Sequence, residues 1–311
     1  MADTVLVTGG AGFIGAPLAR RLADRGDRVV TFDREPARHA DIPHIVGDIT
    51  SRAEVRELIE RVSPAAIVHT AAVVGVAASV GAGLMPTVQV NIAGSVNLFE
   101  AALEHGGVRR ILDLSSEEYY GDFAEEPLGE DAPAAPISPY GISKFAVERL
   151  GRYYAEVRGL PYVAVRLSWV FGPDFPRARL PETWLQDAAE GRTSALARGG
   201  DQRIDFTYLA DVVEGILAVL DAPALEHRAY NLASGTGTSM RELAEAIRRI
   251  APEWDVELGD GGLELAPGVR AARKGAYDIS RIRALGYAPS YGLEDALRDR
   301  LAGIREERTD A

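Results

Sequence analysis

Cysteine is absent from this 311-residue sequence. Disulfides, thiolate metal sites and cysteine nucleophiles are therefore excluded. An excess of positive charge is absent too: 34 Lys and Arg stand against 46 Asp and Glu, a formal net charge of −12. Without a basic tract there is no electrostatic footprint for DNA or RNA. An anionic ligand would have to be held by backbone N–H groups and a few local cations. No apolar run approaches the roughly 18 residues of a membrane span. Met1-Ala2-Asp3 leads straight into an apolar segment, without the basic region and apolar core of a signal peptide. The expectation is a soluble, cytoplasmic protein with no metal ion. Its length and 47% hydrophobic residues suffice for one large domain or two intimate ones.

What is present is organised around Thr8-Gly9-Gly10-Ala11-Gly12-Phe13-Ile14-Gly15. The run Thr4 to Val7 before it reads as a buried strand. Residues 16–23 after it read as a helix with Leu18 and Leu22 on one face. Strand, glycine turn and helix together make a dinucleotide-phosphate loop. Gly9 allows a tight turn, Gly12 lets a pyrophosphate approach the backbone, and Gly15 lets the helix pack closely on the strand. The helix N-terminus, with Phe13 and Ile14, offers N–H groups and partial positive charge to phosphate. The next strand, Arg28 to Phe32, ends in Asp33, whose carboxylate can bind both ribose hydroxyls and repels a 2′-phosphate. NAD is therefore expected over NADP, although Arg34 could receive the extra phosphate.

Strand and helix then alternate. Pro43 to Ile49 reads as a short strand and Ser51 to Arg61 as a helix. Ala65 to His69 is a nearly all-apolar strand running into Thr70-Ala71-Ala72, small residues that leave room for a ligand. A long helix is expected over 86–104, a strand over 110–114, a helix opened by Ser138-Pro139, and a strand over 162–167. Beyond it the alternation stops, with one helix near 184–190, apolar patterning over 206–220, a strand over 229–232 and a helix capped by Ser239. The pattern predicts an α/β fold: a doubly wound parallel sheet with a smaller C-terminal cap. The sheet domain is expected to span 1–167 plus 206–233, and the cap 168–205 plus 234–311.

Tyr140 and Lys144 lie four apart at the start of a helix and share a face. An ammonium beside a phenol stabilises the phenolate, so Tyr140 could take the proton from a substrate hydroxyl while hydride leaves for a nicotinamide. Ser116, at the carboxyl end of a strand, could hydrogen-bond the same hydroxyl, and Lys144 could hold the nicotinamide ribose.

These stretches resemble the extended short-chain dehydrogenases/reductases, in the branch of NAD-dependent nucleotide-sugar epimerases and dehydratases. The resemblance rests on Thr8 to Gly15, Asp33, Gly47-Asp48-Ile49, His69 to Ala72, Asn91, Ser115 to Gly121, Tyr140 to Lys144, Arg166 to Pro173, and Asp205-Phe206 with Asp211-Val212. It implies a Rossmann domain with a C-terminal substrate domain. It also implies a homodimer built on the helices over 86–104 and 140–158, and a cofactor site that includes Asp48, Ile49, Ala71, Ala72 and Asn91. Glu118 falls where the family carries a sugar-site Thr or a catalytic Glu, and Glu117-Glu118 resembles the Asp-Glu of 4,6-dehydratases. Glu117 reads equally well as an acid facing water. Two positions depart from the family: Trp169 replaces an Asn that helps hold a sugar diphosphate, and Ile204 replaces an Arg that clamps it. Arg177, Arg179 and Arg203 could replace that clamp, and Ser79 and Trp169 join Glu117 as substrate-site candidates. Three functions follow: a nucleotide-sugar epimerase or dehydratase with recycled NAD, an NAD-dependent dehydrogenase of a sugar, sugar acid or other small hydroxy compound, or an NAD-binding regulator.

Overall fold

The computed structural model describes residues 3–309 except 177 and 267. The chain divides into two compact units: residues 1–121, 133–167 and 216–230 form the first, and 122–132, 168–215 and 231–311 the second.

The first unit opens with β1 (Thr4–Thr8), α1 (Gly15–Asp24), β2 (Arg28–Asp33), β3 (His44–Val46), α2 (Arg52–Val62) and β4 (Ala66–His69). It continues with a helical run, α3 (residues 84–105), then β5 (Arg110–Ser116), α4 (Pro139–Arg158) and β6 (Tyr162–Leu167). The sheet order is β3-β2-β1-β4-β5-β6, with Ala229–Leu232 as a seventh strand beside β6. All pairings from β1 to β6 are parallel. This is the doubly wound order, whose switch point lies between β1 and β4. β1 and β6 are buried at every residue, as strands covered on both faces must be. The core joins Leu6, Phe32, Ile67 and Ile111 of the sheet to Val55, Leu58 and Phe99 of the helices.

Local chemistry sets the helix ends. The Ser51 hydroxyl accepts from Glu54 N at the start of α2. The Ser138 hydroxyl accepts from Gly141 N at 3.0 Å, with Pro139 in the first turn of α4. α3 is not one regular helix. Val88–Gly94 is π-helical, between α-helical Leu84–Thr87 and Ser95–His105, and such an insertion re-aims side chains on one face. The strand expected to reach Ile49 stops at Val46, because the Asp48 side chain accepts from Thr50 N at 2.8 Å and turns the chain into α2.

The second unit packs its own aromatic core, including Trp169, Phe171, Trp184, Phe206, Tyr208 and Trp254. Trp169–Phe171 pairs in parallel with Arg203–Tyr208, which pairs antiparallel with Gly237–Ser239. The observed division differs from the expected boundaries at three places. Phe206 and Tyr208 belong to this second core, so residues 206–215 go with it. Residues 231–233 go with it as well. Residues 122–132 join it because Leu128 N donates to Ala276 O and Asp278 N to Leu128 O. Among the described residues no helix is long and apolar enough to cross a membrane.

A buried ion pair fastens α4 to the sheet. Arg166 of β6 and Glu148 of α4 are fully buried, with Nη2 to Oε2 at 2.7 Å and Nε to Oε1 at 2.9 Å. Replacing Arg166 by Met strands the Glu148 charge and is expected to cost about 3–5 kcal/mol in denaturant unfolding. The double replacement Arg166→Met with Glu148→Leu should recover most of that loss. A single variant of wild-type stability would show that the pair does not hold the helix.

Candidate active site

The glycine turn follows β1 closely. Gly9 has φ +72, and a Cβ there would stand 2.5 Å from Thr70 Oγ1 and 2.6 Å from Ala71 N, so the turn lies directly on the small residues that follow β4. Gly9 N donates to Phe32 O at 2.8 Å, while Thr70 Oγ1 donates to Thr8 O at 2.7 Å. Gly15 has a different neighbour from the one expected. A Cβ there would meet Gly9 O at 2.1 Å, so it is the turn itself that α1 approaches, rather than the strand. Gly12 meets only Gly9 O at 3.0 Å, and no side chain caps α1, whose N-cap is Ile14. An open backbone cradle at an uncapped helix N-terminus, next to Thr70 and Ala71, fits the diphosphate of a dinucleotide.

Asp33 stands at the end of β2. Its Oδ2 accepts from Ala11 N at 3.0 Å and its Oδ1 from Glu35 N at 3.1 Å. Each oxygen keeps a lone pair for a hydroxyl. Arg34 is exposed and paired with Glu35 at 3.4 Å, while Arg38, which the sequence reading passed over, donates to Ala11 O at 3.2 Å. Asp48 is exposed and shapes its own turn; Ile49 is buried against Gly94, and its carbonyl accepts from Asn97.

Ser116, Glu117, Glu118, Tyr140 and Lys144 are all buried in the first unit. β5 ends at Ser116, and a single 3-10 turn, Glu117–Tyr119, follows. The Ser116 hydroxyl accepts from Glu118 N at 3.2 Å, which leaves its hydrogen to donate. The Ser138 hydroxyl, already capping α4, donates to Glu118 Oε2 at 3.4 Å. A Cβ at Gly141 would stand 2.5 Å from Glu118 O, so only glycine lets the first turn of α4 sit on the acidic turn. Lys144 Nζ donates to Leu114 O at 2.6 Å. Glu117 is 5% exposed, which overturns its reading as a water-facing acid. Tyr119 and Tyr120, next in the chain, hold the turn down: the Arg166 guanidinium lies 3.7 Å above the Tyr119 ring, and its Nη1 donates to Tyr120 OH at 2.8 Å.

Two candidates have other employment. Asn91, on the π-helical segment, is bonded through both amide atoms: Oδ1 accepts from Val73 N at 2.8 Å, and Nδ2 donates to Val73 O at 3.0 Å and Ser143 Oγ at 2.9 Å. It fixes the chain after Ala72 to α4. Ser79 is fully buried, and its hydroxyl accepts from the backbone N–H of Tyr140 at 3.1 Å and donates to Val76 O. It ties the backbone at Tyr140 to the segment after Val76. His69 was missed as a contributor: its ring nitrogens lie 2.7 Å from Thr8 Oγ1 and 2.9 Å from Ser95 Oγ. Burial, and then the charge of Lys144, push it down to about 3, so it is neutral.

The second-unit candidates are committed to their own unit. Trp169 is core: its Nε1 donates to Leu180 O at 2.6 Å, and the Arg179 guanidinium lies 3.8 Å above its ring. Ile204 is 1% exposed in the same core. Arg203 forks onto Glu126, with Nη2 at 3.1 Å from Oε1, and donates to Gly237 O at 2.7 Å. Arg177 lies outside the described residues. Among the described residues no group of three His, Asp or Glu side chains could hold a metal ion.

Comparison with known proteins places this arrangement in a family. The low-salt glycan biosynthesis protein Agl12 of Haloferax volcanii is 33% identical over 309 residues, 94% of this chain and 96% of its own length. A UDP-glucose 4-epimerase of Streptomyces lividans is 33% identical over 274 residues, 80% of this chain and 82% of its own. The crystal structure of UDP-glucose 4-epimerase with UDP-glucose from Thermotoga maritima superposes with a TM-score of 0.88 at 25% identity, over 99% of this chain and 100% of that one. The model of the NAD dependent epimerase/dehydratase family matches residues 5–233, and the chain, an NAD-dependent enzyme with a Rossmann sheet, belongs to that family.

Proposed function

We propose that the chain acts on a nucleotide sugar by hydride transfer at a carbinol carbon, with Tyr140 as the base. One observation carries the reading: the Lys144–Leu114 hydrogen bond docks the turn bearing Tyr140 and Lys144 onto the strand end that bears Ser116. Bound NAD supplies reversible hydride acceptance at its nicotinamide. Asp33 binds the adenosine ribose hydroxyls, and the turn from Gly9 to Gly15 receives the diphosphate. Ser116 donates to the substrate hydroxyl and Tyr140 removes its proton. A nucleotide sugar is favoured over a smaller hydroxy compound by the relatives' names and by the UDP-glucose bound to the structural neighbour. The intact Ser116, Tyr140 and Lys144 weigh against a silent regulator.

Buried Glu117 and Glu118 favour the dehydratase variant of this chemistry. Dehydration needs an acid and a base, and two buried carboxyl groups on the turn that follows Ser116 offer candidates for both.

Tyr140→Phe is expected to lower kcat by at least the roughly 10²–10⁴-fold typical of general base catalysis, with NAD still bound. Near-normal turnover with cofactor in place would give the proton transfer to another residue.

Glu118→Gln keeps size and hydrogen bonding and removes the titratable proton. The expected result in a single turnover is a build-up of absorbance from reduced nicotinamide, because hydride transfer proceeds and elimination stalls. A raised KM without that build-up confines Glu118 to positioning substrate hydroxyls and removes the dehydratase variant.

We further propose a homodimer. Leu84, Met85 and Val88 on α3, and Ile142, Tyr153 and Val157 on α4, are large apolar side chains 37–60% exposed on two neighbouring helical runs. Val157→Glu should shift sedimentation from dimer to monomer. A wild-type protein that sediments as a monomer at micromolar concentration overturns the proposal.

A further inference from the structure

Under α4, three strands bring polar side chains to one level of the sheet. The register pairs Thr8 with His69 and His69 with Asp113, so β1, β4 and β5 each contribute one polar residue to a single row. Thr8 is fully buried, His69 3% exposed and Asp113 1% exposed. An acid in the middle of a parallel strand needs a reason, since its neighbours Ile111, Leu112 and Leu114 are the apolar residues such a strand ordinarily carries. Asp113 Oδ2 accepts from Tyr162 OH at 3.0 Å, and Oδ1 has no hydrogen-bond partner among the described residues.

The charges facing Asp113 can be balanced element by element. β4 presents His69, which is neutral, its ring nitrogens held by Thr8 and Ser95. β6 presents Tyr162 and Arg166. α4 presents Glu148 and Lys144, and both act electrostatically on Asp113. Arg166 and Glu148 cancel, bound to each other through three hydrogen bonds. Lys144 remains. It is 6% exposed, and its hydrogen bond runs to a neutral carbonyl, Leu114 O, of the residue next to Asp113. A buried ammonium held by a carbonyl is costly without a counter-charge.

We propose that Asp113 is a positioning residue: its carboxylate is the buried counter-charge that holds Lys144 as an ammonium docked on β5, and through Lys144 it sets the pH range in which Tyr140 works. The proposal rests on the reading of Tyr140 and Lys144 as reacting groups. Burial pushes the Asp113 carboxyl up to about 6, against the pull of Lys144 and the Tyr162 hydrogen bond. Asp113 is therefore an anion at neutral pH and takes up a proton just below it. While ionised, it puts a buried negative charge next to the carbonyl on which Lys144 docks.

The test is the pH profile of kcat/KM in Asp113→Asn, which keeps the shape and the acceptor for Tyr162 but not the charge. Both limbs are expected to move to lower pH by about one unit, a tenfold rate change at a fixed pH on either limb. Wild type and variant should converge below about pH 6, where Asp113 itself is protonated. Limbs that stay in place, whether activity is kept or lost, overturn the proposal. Asp113→Ser, smaller and still polar, serves if the Asn variant does not fold, with the same expected direction. Failure of both to fold would make Asp113 a core residue only and would also overturn it. Lys144→Met separates the two readings. Near-normal turnover there sinks the reading of Lys144 itself, whereas lost turnover there with unmoved limbs in Asp113→Asn sinks only the present inference.

Discussion

Burying two cations beneath one helix is the constraint on which the first unit depends. α4 carries Tyr140 and Lys144 on its first turns and Glu148 further along, and it lies over strands that present Asp113 and Arg166. Neither a guanidinium nor an ammonium can be left in that interior without compensation. The carboxylate that matches Arg166 also accepts from Ser115, and the carbonyl that receives Lys144 belongs to Leu114, so β5 is addressed twice within two residues. Helix and strand can meet in only one register, because a shift of one residue would bring an unmatched charge to each contact. Tyr140 takes its place from this register, and Ser79 and Ser138 then satisfy N–H groups of the first turn.

The same register fixes the acidic turn. Tyr119 and Tyr120 grip Arg166 from the far side of its pair with Glu148, so the turn that carries Glu117 and Glu118 is tied to the ion pair that seats α4. Gly141 completes the contact from the helix side. Acid, serine and phenol therefore share one support, and a substitution at Arg166 would be felt in all three.

Much of the first unit could be read from the sequence because its signals are local. Glycine spacing after an apolar strand, Asp33 at the end of the next, Ser-Pro before a helix and four-residue spacing of Tyr140 and Lys144 each depend on a few neighbouring residues. What escaped depends on partners far along the chain. Asn91 was placed at the cofactor, but a π-helical segment and the backbone of Val73 consume its amide. Ser79 was placed at the substrate, yet its partner is the Tyr140 N–H, 61 residues away. Arg203 was offered as an anion clamp, but Glu126 had already claimed its fork. Position in a motif gives the residue type a site needs, and says nothing of whether that side chain is already bonded. Phe206 and Tyr208 enter the second core, and apolar periodicity cannot say which of two cores a strand enters.

All three tryptophans, Trp169, Trp184 and Trp254, lie in the core of the second unit, and Trp184 and Trp254 have ring centroids 5.6 Å apart. The first unit has tyrosines and none of these indoles. Emission excited at the red edge of indole absorption therefore reports on the second unit alone, whatever happens around the glycine turn. A denaturation curve followed by that emission and one followed by backbone circular dichroism sample different parts of the chain, so any separation between them measures how independently the two units come apart.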